Sequence, residues 1–238
     1  MLKQFFISTF LFTPFLLLGQ SGEIDKRASA IADSVVHAMG GKANWDSMHY
    51  LRWTFFDKRT LHWDKWSGNV RIEIPSKKLV ILTNLNNLHG KVYSDCIELS
   101  NSDSNAYYMD RAYKIWANDS YWLIMPFKLH DPGVTLLYQG IANDGKGNSC
   151  FQLEITFDKV GITPENKYKV YVSRESYLVT QWDYFEKRNS TQPDLSCPWH
   201  NYQPYGNLLL SDDRGPDVGK LTNIAVMDTI PAGLFDML

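Results

Sequence analysis

Cys197-Pro198-Trp199-His200 is the segment whose residue types come nearest to chemistry. A thiol and an imidazole supply half of the roughly four ligands that a zinc site needs, and no matching pair stands nearby. A thioredoxin-like dithiol would need a second cysteine where His200 stands. Cys197 as a nucleophile would need a base beside it, and a hydrolase built this way would draw on His130 or His200. His37, His49, His62 and His89 are scattered, and no pair has the His-x-x-x-His or His-x-His spacing that puts two imidazoles on one metal. His130-Asp131 has the form of an orienting pair, but an aspartate before Pro132 is also ordinary turn chemistry. Asn143-Asp144-Gly145 through Asn148 has the composition of a calcium loop without its closing bidentate glutamate, so it reads as a turn. Asp212, Asp213 and Asp217 form an acidic loop. The sequence has no Gly-x-Ser-x-Gly and no phosphate-cradling glycine loop, and it assigns no catalytic residue, no metal ligands and no cofactor.

The other concentration of chemistry is aromatic. Trp53, Phe55, Trp63, Trp66, Trp116, Tyr121, Trp122, Met125 and Phe127 are the candidates for lining an apolar ligand cavity. Such sites are mostly hydrophobic, with a few placed polar groups. The same rings could equally fill a core, because each buries a large area. With 33 aromatic residues, eight of them Trp, the chain needs either a thick core or a guest.

The elements that must position these rings are mostly strands. One helix comes first: Ile24, Ala28, Ile31, Ala32, Val35 and Met39 recur at helical spacing, and Gly40-Gly41 ends the run. From residue 50 the period becomes two. Leu51, Trp53 and Phe55 alternate with polar residues, as do Val70, Ile72 and Ile74, and Phe151 through Phe157. Tyr168, Val170 and Val172 lead through a polar turn to Leu178, Thr180, Trp182 and Tyr184. These are half-buried antiparallel strands. Turns fall at Ser67-Gly68-Asn69, His89-Gly90 and Asp144 to Asn148. Further strands are expected over Val134–Tyr138 and near Leu221–Met227, with an apolar run at Leu208-Leu209-Leu210. Asn118-Asp119-Ser120 predicts a cap for a short helical segment that Pro126 closes, and residues 119–127 are expected to act as a mobile lid.

Residues 1–19 have the layout of a cleavable secretion signal: Lys3, an apolar run from Phe5 to Leu18, then small Gly19 before polar Gln20. The run is short for a membrane span and holds Pro14. Without it, one domain of 219 residues (20–238) remains, with a net charge of −3, and no transmembrane segment is expected. No basic patch dominates, which argues against nucleic acid. Cys96, Cys150 and Cys197 allow at most one disulfide, whose pairing is not legible.

The chain resembles the LolA/LolB-like periplasmic lipoprotein-carrier superfamily. The resemblance rests on the helix ending at Gly40-Gly41, the aromatic strand Leu51-Arg52-Trp53-Thr54-Phe55, the run from Tyr121 to Leu129 followed by Asp131-Pro132-Gly133, and the hairpin from Tyr168 to Trp182. It spans most of residues 24–230. It implies a mainly β fold, an antiparallel curved sheet or half-open β-barrel around the N-terminal helix with a short central helical lid and an apolar cavity. Gln20 stands where an anchored, LolB-type receptor carries its lipid-attachment cysteine. A LolA-type carrier is expected to hold an arginine inside its barrel, whereas the parity of Arg52 and Arg71 points both to solvent.

The expectation is therefore a periplasmic or secreted carrier for a hydrophobic small molecule, lipid or acyl chain, with transient envelope partners. Two rivals stay open: a partner-binding envelope protein with a filled core, and an envelope hydrolase.

Overall fold

The computed structural model describes residues 18–238; the secretion signal expected over 1–19 falls, but for Leu18-Gly19, outside the described residues. The first helix, α1 (Leu18–Ala38), turns Ala28, Ile31, Ala32 and Val35 inward, while Lys26, Arg27 and Asp33 stay exposed. Its end is closed by the Gly40 N–H donating to the His37 carbonyl and the Gly41 N–H to the Val36 carbonyl, at 3.1 and 2.9 Å. Gly40 must be glycine. Its φ is +112°, and a Cβ would sit 2.2 Å from the Asn207 carbonyl oxygen. A short helix, α2 (Lys42–Ser47), leads into the sheet.

Fourteen antiparallel strands follow among the described residues. The larger sheet has the order β14-β1-β2-β3-β4-β5-β6, made by β1 (Tyr50–Phe55), β2 (Arg59–Asp64), β3 (Asn69–Ile74), β4 (Leu79–Asn84), β5 (Gly90–Ser94), β6 (Ile97–Glu98) and β14 (Leu221–Met227). The second sheet runs β11-β10-β9-β8-β7, from β7 (Val134–Asn143), β8 (Ser149–Phe157), β9 (Lys167–Ser173), β10 (Val179–Phe185) and β11 (Leu195–Pro198). A hairpin of β12 (His200–Tyr205) and β13 (Leu208–Asp213) completes the set. The sheets stay open: β6 and β14 edge one, β7 and β11 the other. The fold is mainly β with a curved, half-open sheet, as expected. Period-two patterning drives it; in β3, for example, Val70, Ile72 and Ile74 are buried while Arg71 and Glu73 are partly exposed. α1, the long central helix described next, and both sheets contribute to one contiguous apolar core.

The central helix departs from the expected short lid. It is α3, Ser102–Ile124, 23 residues long, and a 3-10 turn over Met125–Lys128 continues it. Its cap is Asn101, whose Oδ1 accepts the Asp103 and Ser104 N–H groups at 3.0 Å each. Asn118-Asp119-Ser120 lies inside the helix rather than at its start. Residues 119–127 are largely buried, with Asp119, Ser120, Leu123, Ile124, Met125 and Phe127 all inside. They form a packed wall, not a cover.

Both strand arginines lie on the face opposite the apolar residues, but Arg71 is not left to solvent. Arg71 is nearly covered, because the C-terminal residues fold back over it: its Nη1 donates to the Met237 carbonyl at 2.7 Å and its Nε to Glu73 at 2.5 Å. Arg52, partly exposed, donates to the Asn223 carbonyl at 3.2 Å. The fully buried arginine is Arg214, just past β13.

Candidate functional site

A cavity of about 610 Å³ lies between the C-terminal half of α3 and the strands β8 to β11. Helical spacing brings Tyr113, Trp116, Ala117 and Tyr121 of α3 to it, together with Trp122. Phe157, Tyr168, Trp182 and Tyr184 face them from β8, β9 and β10. The register explains the grouping, since Tyr168 stands opposite Tyr184 and Val170 opposite Trp182, so one face collects the rings. Trp182 is the hub. It lies 5.8 Å from Tyr121, 5.1 Å from Tyr168 and 4.9 Å from Trp122, ring to ring.

Two loops make the rim: Asp131 to Val134 before β7, and Val160 to Asn166 between β8 and β9. Gly133, at φ +82°, lets them touch, because a Cβ there would meet the Val160 side chain at 2.5 Å. The Asp158 N–H donates to the Gly133 carbonyl at 2.8 Å. Arg188 braces the second loop through the Phe157 and Pro164 carbonyls.

Polar groups interrupt the aromatic wall at several points, Asn118, Ser120 and Thr163 among them. Lys128 pairs with Asp131 at the rim, and Asp194 lies exposed beside Leu195. Asn166 is 3% exposed; its Nδ2 donates to Thr163 Oγ1 at 2.6 Å, while its Oδ1 has no partner. The Trp116 indole N–H is likewise unpaired. Burial pushes the phenols of Tyr121, Tyr168 and Tyr184 above their ordinary range, so all three stay neutral at physiological pH. Tyr168 and Asp131 add to the shift of Tyr121, and Glu186 and Asp194 to that of Tyr184.

Two buried ionic contacts fix the helical wall. Asp119, wholly buried, accepts from Arg59 at 2.5 and 2.6 Å in a fork, tying α3 to β2. Arg214 donates to the Trp122 carbonyl, one of the orphan acceptors at the helix C-terminus. It also donates to Ser211 Oγ at 2.8 Å and lies 3.7 Å above the Trp199 ring. A cation at that end of a helix is favourably placed. Burial lowers the Arg214 pKa to about 10, and the group stays charged at neutral pH.

Of the residues expected from sequence, Trp116, Tyr121 and Trp122 line the cavity. Trp53, Phe55, Trp63, Met125 and Phe127 are buried in the core, and Trp66 is 62% exposed, stacked on His49. Phe157, Tyr168, Trp182 and Tyr184 were legible as strand residues but not as one wall. The available signal was their shared parity on adjoining strands.

Cys197 and His200 line a second, shallower hollow of about 460 Å³ with Asp144, Lys146 and Thr180. His130 is elsewhere, 3.0 Å from Asp33. The three do not converge. Burial pushes the Cys197 thiol up to about 11, outweighing the opposite pull of Arg214 and of the Trp182 N–H that its sulfur accepts at 2.6 Å, so it is held protonated. Asp144 Oδ1 accepts the Lys146 and Asn148 amides, which makes its loop an Asx turn. Among the described residues, no three His, Cys, Asp or Glu are grouped to hold a metal ion, and no helix is long and apolar enough to cross a membrane. All three cysteines are free, with Cys96 exposed and the others buried. A thiol reagent is thus expected to titrate one cysteine rapidly in the folded chain and all three only in denaturant. Two fast thiols would show that one buried cysteine is reachable.

No family model matches the chain, and no curated protein matches it. Among solved structures, it is similar to a DUF1329 family protein from Desulfovibrio piger, at 15% identity and a TM-score of 0.46. The alignment covers 88% of this chain and 97% of that one.

Proposed function

We propose that this chain is an exported, periplasmic or secreted binding protein that carries an apolar small molecule or acyl chain in the cavity beside α3. One observation carries the reading: a hollow of about 610 Å³ walled by aromatic side chains that a helix and a sheet bring together. Its volume lies in the range of about 300–1,000 Å³ common for small-molecule sites. The resemblance of the sequence to LolA/LolB-like carriers points the same way. Binding would proceed without chemistry, driven by apolar surface leaving water at about 25 cal/mol per Å².

The direct test is native mass spectrometry of the chain purified without detergent, with solvent extraction of any co-purifying molecule and titration with 1-decanol. A one-to-one adduct is expected. A clean mass with no decanol uptake would overturn the carrier reading.

Trp122→Ala separates wall from core. The ring is half-buried, edge-on to Phe56 at 5.4 Å and Trp182 at 4.9 Å, and the substitution keeps the backbone carbonyl that Arg214 binds. Decanol affinity is expected to fall about tenfold, with stability lowered by no more than about 2 kcal/mol. A large stability loss with unchanged affinity would return Trp122 to the core.

A further inference from the structure

We infer that the cavity selects an organic cation on an apolar body, of the alkylammonium class, over a neutral or anionic amphiphile of equal length. This rests on the cavity reading above and names its ligand class. Two independent features converge on it. The first is the wall itself. Trp116, Tyr121, Trp122 and Tyr168 bring electron-rich rings to one hollow, backed by the buried Trp182 ring. Tryptophan and tyrosine faces attract a cation through the ring quadrupole, and quaternary ammonium groups are recognised in such cages. The second is the charge left at the mouth. The only ionisable side chains among the lining residues, tyrosines apart, are Lys128, Asp131 and Asp194. Lys128 is already matched by Asp131. Asp194 accepts the Glu186 amide at 2.8 Å and takes part in none of the ion pairs among the described residues. Among the lining side chains one negative charge is therefore left over, on Asp194, while Arg188 behind the second rim loop is taken up by the Phe157 and Pro164 carbonyls.

The tyrosines sense the same field. Asp131 contributes to the raised value of Tyr121, and Glu186, Asp194 and Glu165 to that of Tyr184, so the acidic side chains all act in one direction there. A carboxylate or phosphate headgroup would meet repulsion at this mouth with no free lysine or arginine lining it to receive it. An ammonium group would meet Asp194 and the ring faces together.

The experiment titrates the full chain, by tryptophan fluorescence and calorimetry, with decyltrimethylammonium, 1-decanol and decanoate below their aggregation thresholds. Decyltrimethylammonium is expected to bind about fivefold to thirtyfold more tightly than decanol, with decanoate weakest. Asp194→Asn is expected to narrow the ammonium-to-decanol ratio at least threefold, and 1 M salt to narrow it further. Decanol equal to the ammonium compound, or decanoate at least as tight, would overturn the cation inference and leave the apolar carrier standing. No binding of any of the three would overturn both. An ammonium preference that Asp194→Asn leaves untouched would overturn the role given to Asp194.

Discussion

Arg59→Met is expected to destabilise the chain by about 3–5 kcal/mol, measured as the loss of unfolding free energy in urea. The partner it strands is Asp119, which is wholly buried on α3 and receives both arms of the guanidinium. Burial already pushes that carboxyl above its ordinary value, while Arg59 and Asn118 pull it back down. Removing Arg59 leaves the Asn118 amide and the more distant Lys58 charge to support a buried carboxylate, so the folded pKa rises further. The sign of the pH dependence follows. A raised folded value contributes stability below the unfolded value of about 3.9, and that stability is lost as pH climbs through the folded value. The deficit of the variant should therefore be smallest near pH 4 and grow toward neutrality. Adding Asp119→Leu should recover most of the loss, because an apolar replacement of both partners removes the stranded charge. A single variant within 1 kcal/mol of the parent would mean that water reaches Asp119.

Trp182→Ala is expected to cost about 3–5 kcal/mol, the usual price of deleting a fully buried indole. In a chain this long, that corresponds to a fall of roughly 6–20 °C in Tm. Trp182 is 1% exposed and edge-packed against Trp122 and Trp199, at 4.9 and 5.5 Å. It also donates to the Cys197 sulfur. The same ring is part of the cavity wall, so decanol binding should weaken with it. Thermal unfolding followed by circular dichroism checks the first effect and titration the second. A shift under 3 °C would show that its neighbours collapse into the space left behind.

The strands β1, β3, β8, β9 and β10 were legible because their apolar residues alternate and one face must be dry. β4 was not, since Leu79-Val80-Ile81-Leu82 is a continuous run that fits a strand or a helix equally. α3 was shortened for a local reason. Asn-Asp-Ser is a common capping triplet, and the partner that satisfies Asp119 inside the helix, Arg59, stands sixty positions away in the chain. The truer signal was Asn101 followed by Met109, Ala112 and Ile115 at helical spacing. At the cavity, Trp116, Tyr121 and Trp122 could be picked out by density of rings. Asn166 and Asp194 could not, because their placement is set by loops and by strand order rather than by any period.

Arg59 grips α3 at Asp119, and Arg214 grips it one turn later at the Trp122 carbonyl. Held at two points about a turn apart, by partners from β2 and from just past β13, the helix resists rolling about its axis, which sets the azimuth of Trp116 and Tyr121. A guest arriving at this wall finds rings whose freedom was surrendered when the chain folded. Little rotamer entropy is left to lose on that side, so contact area there converts to affinity more fully than it would in a loosely held aromatic pocket.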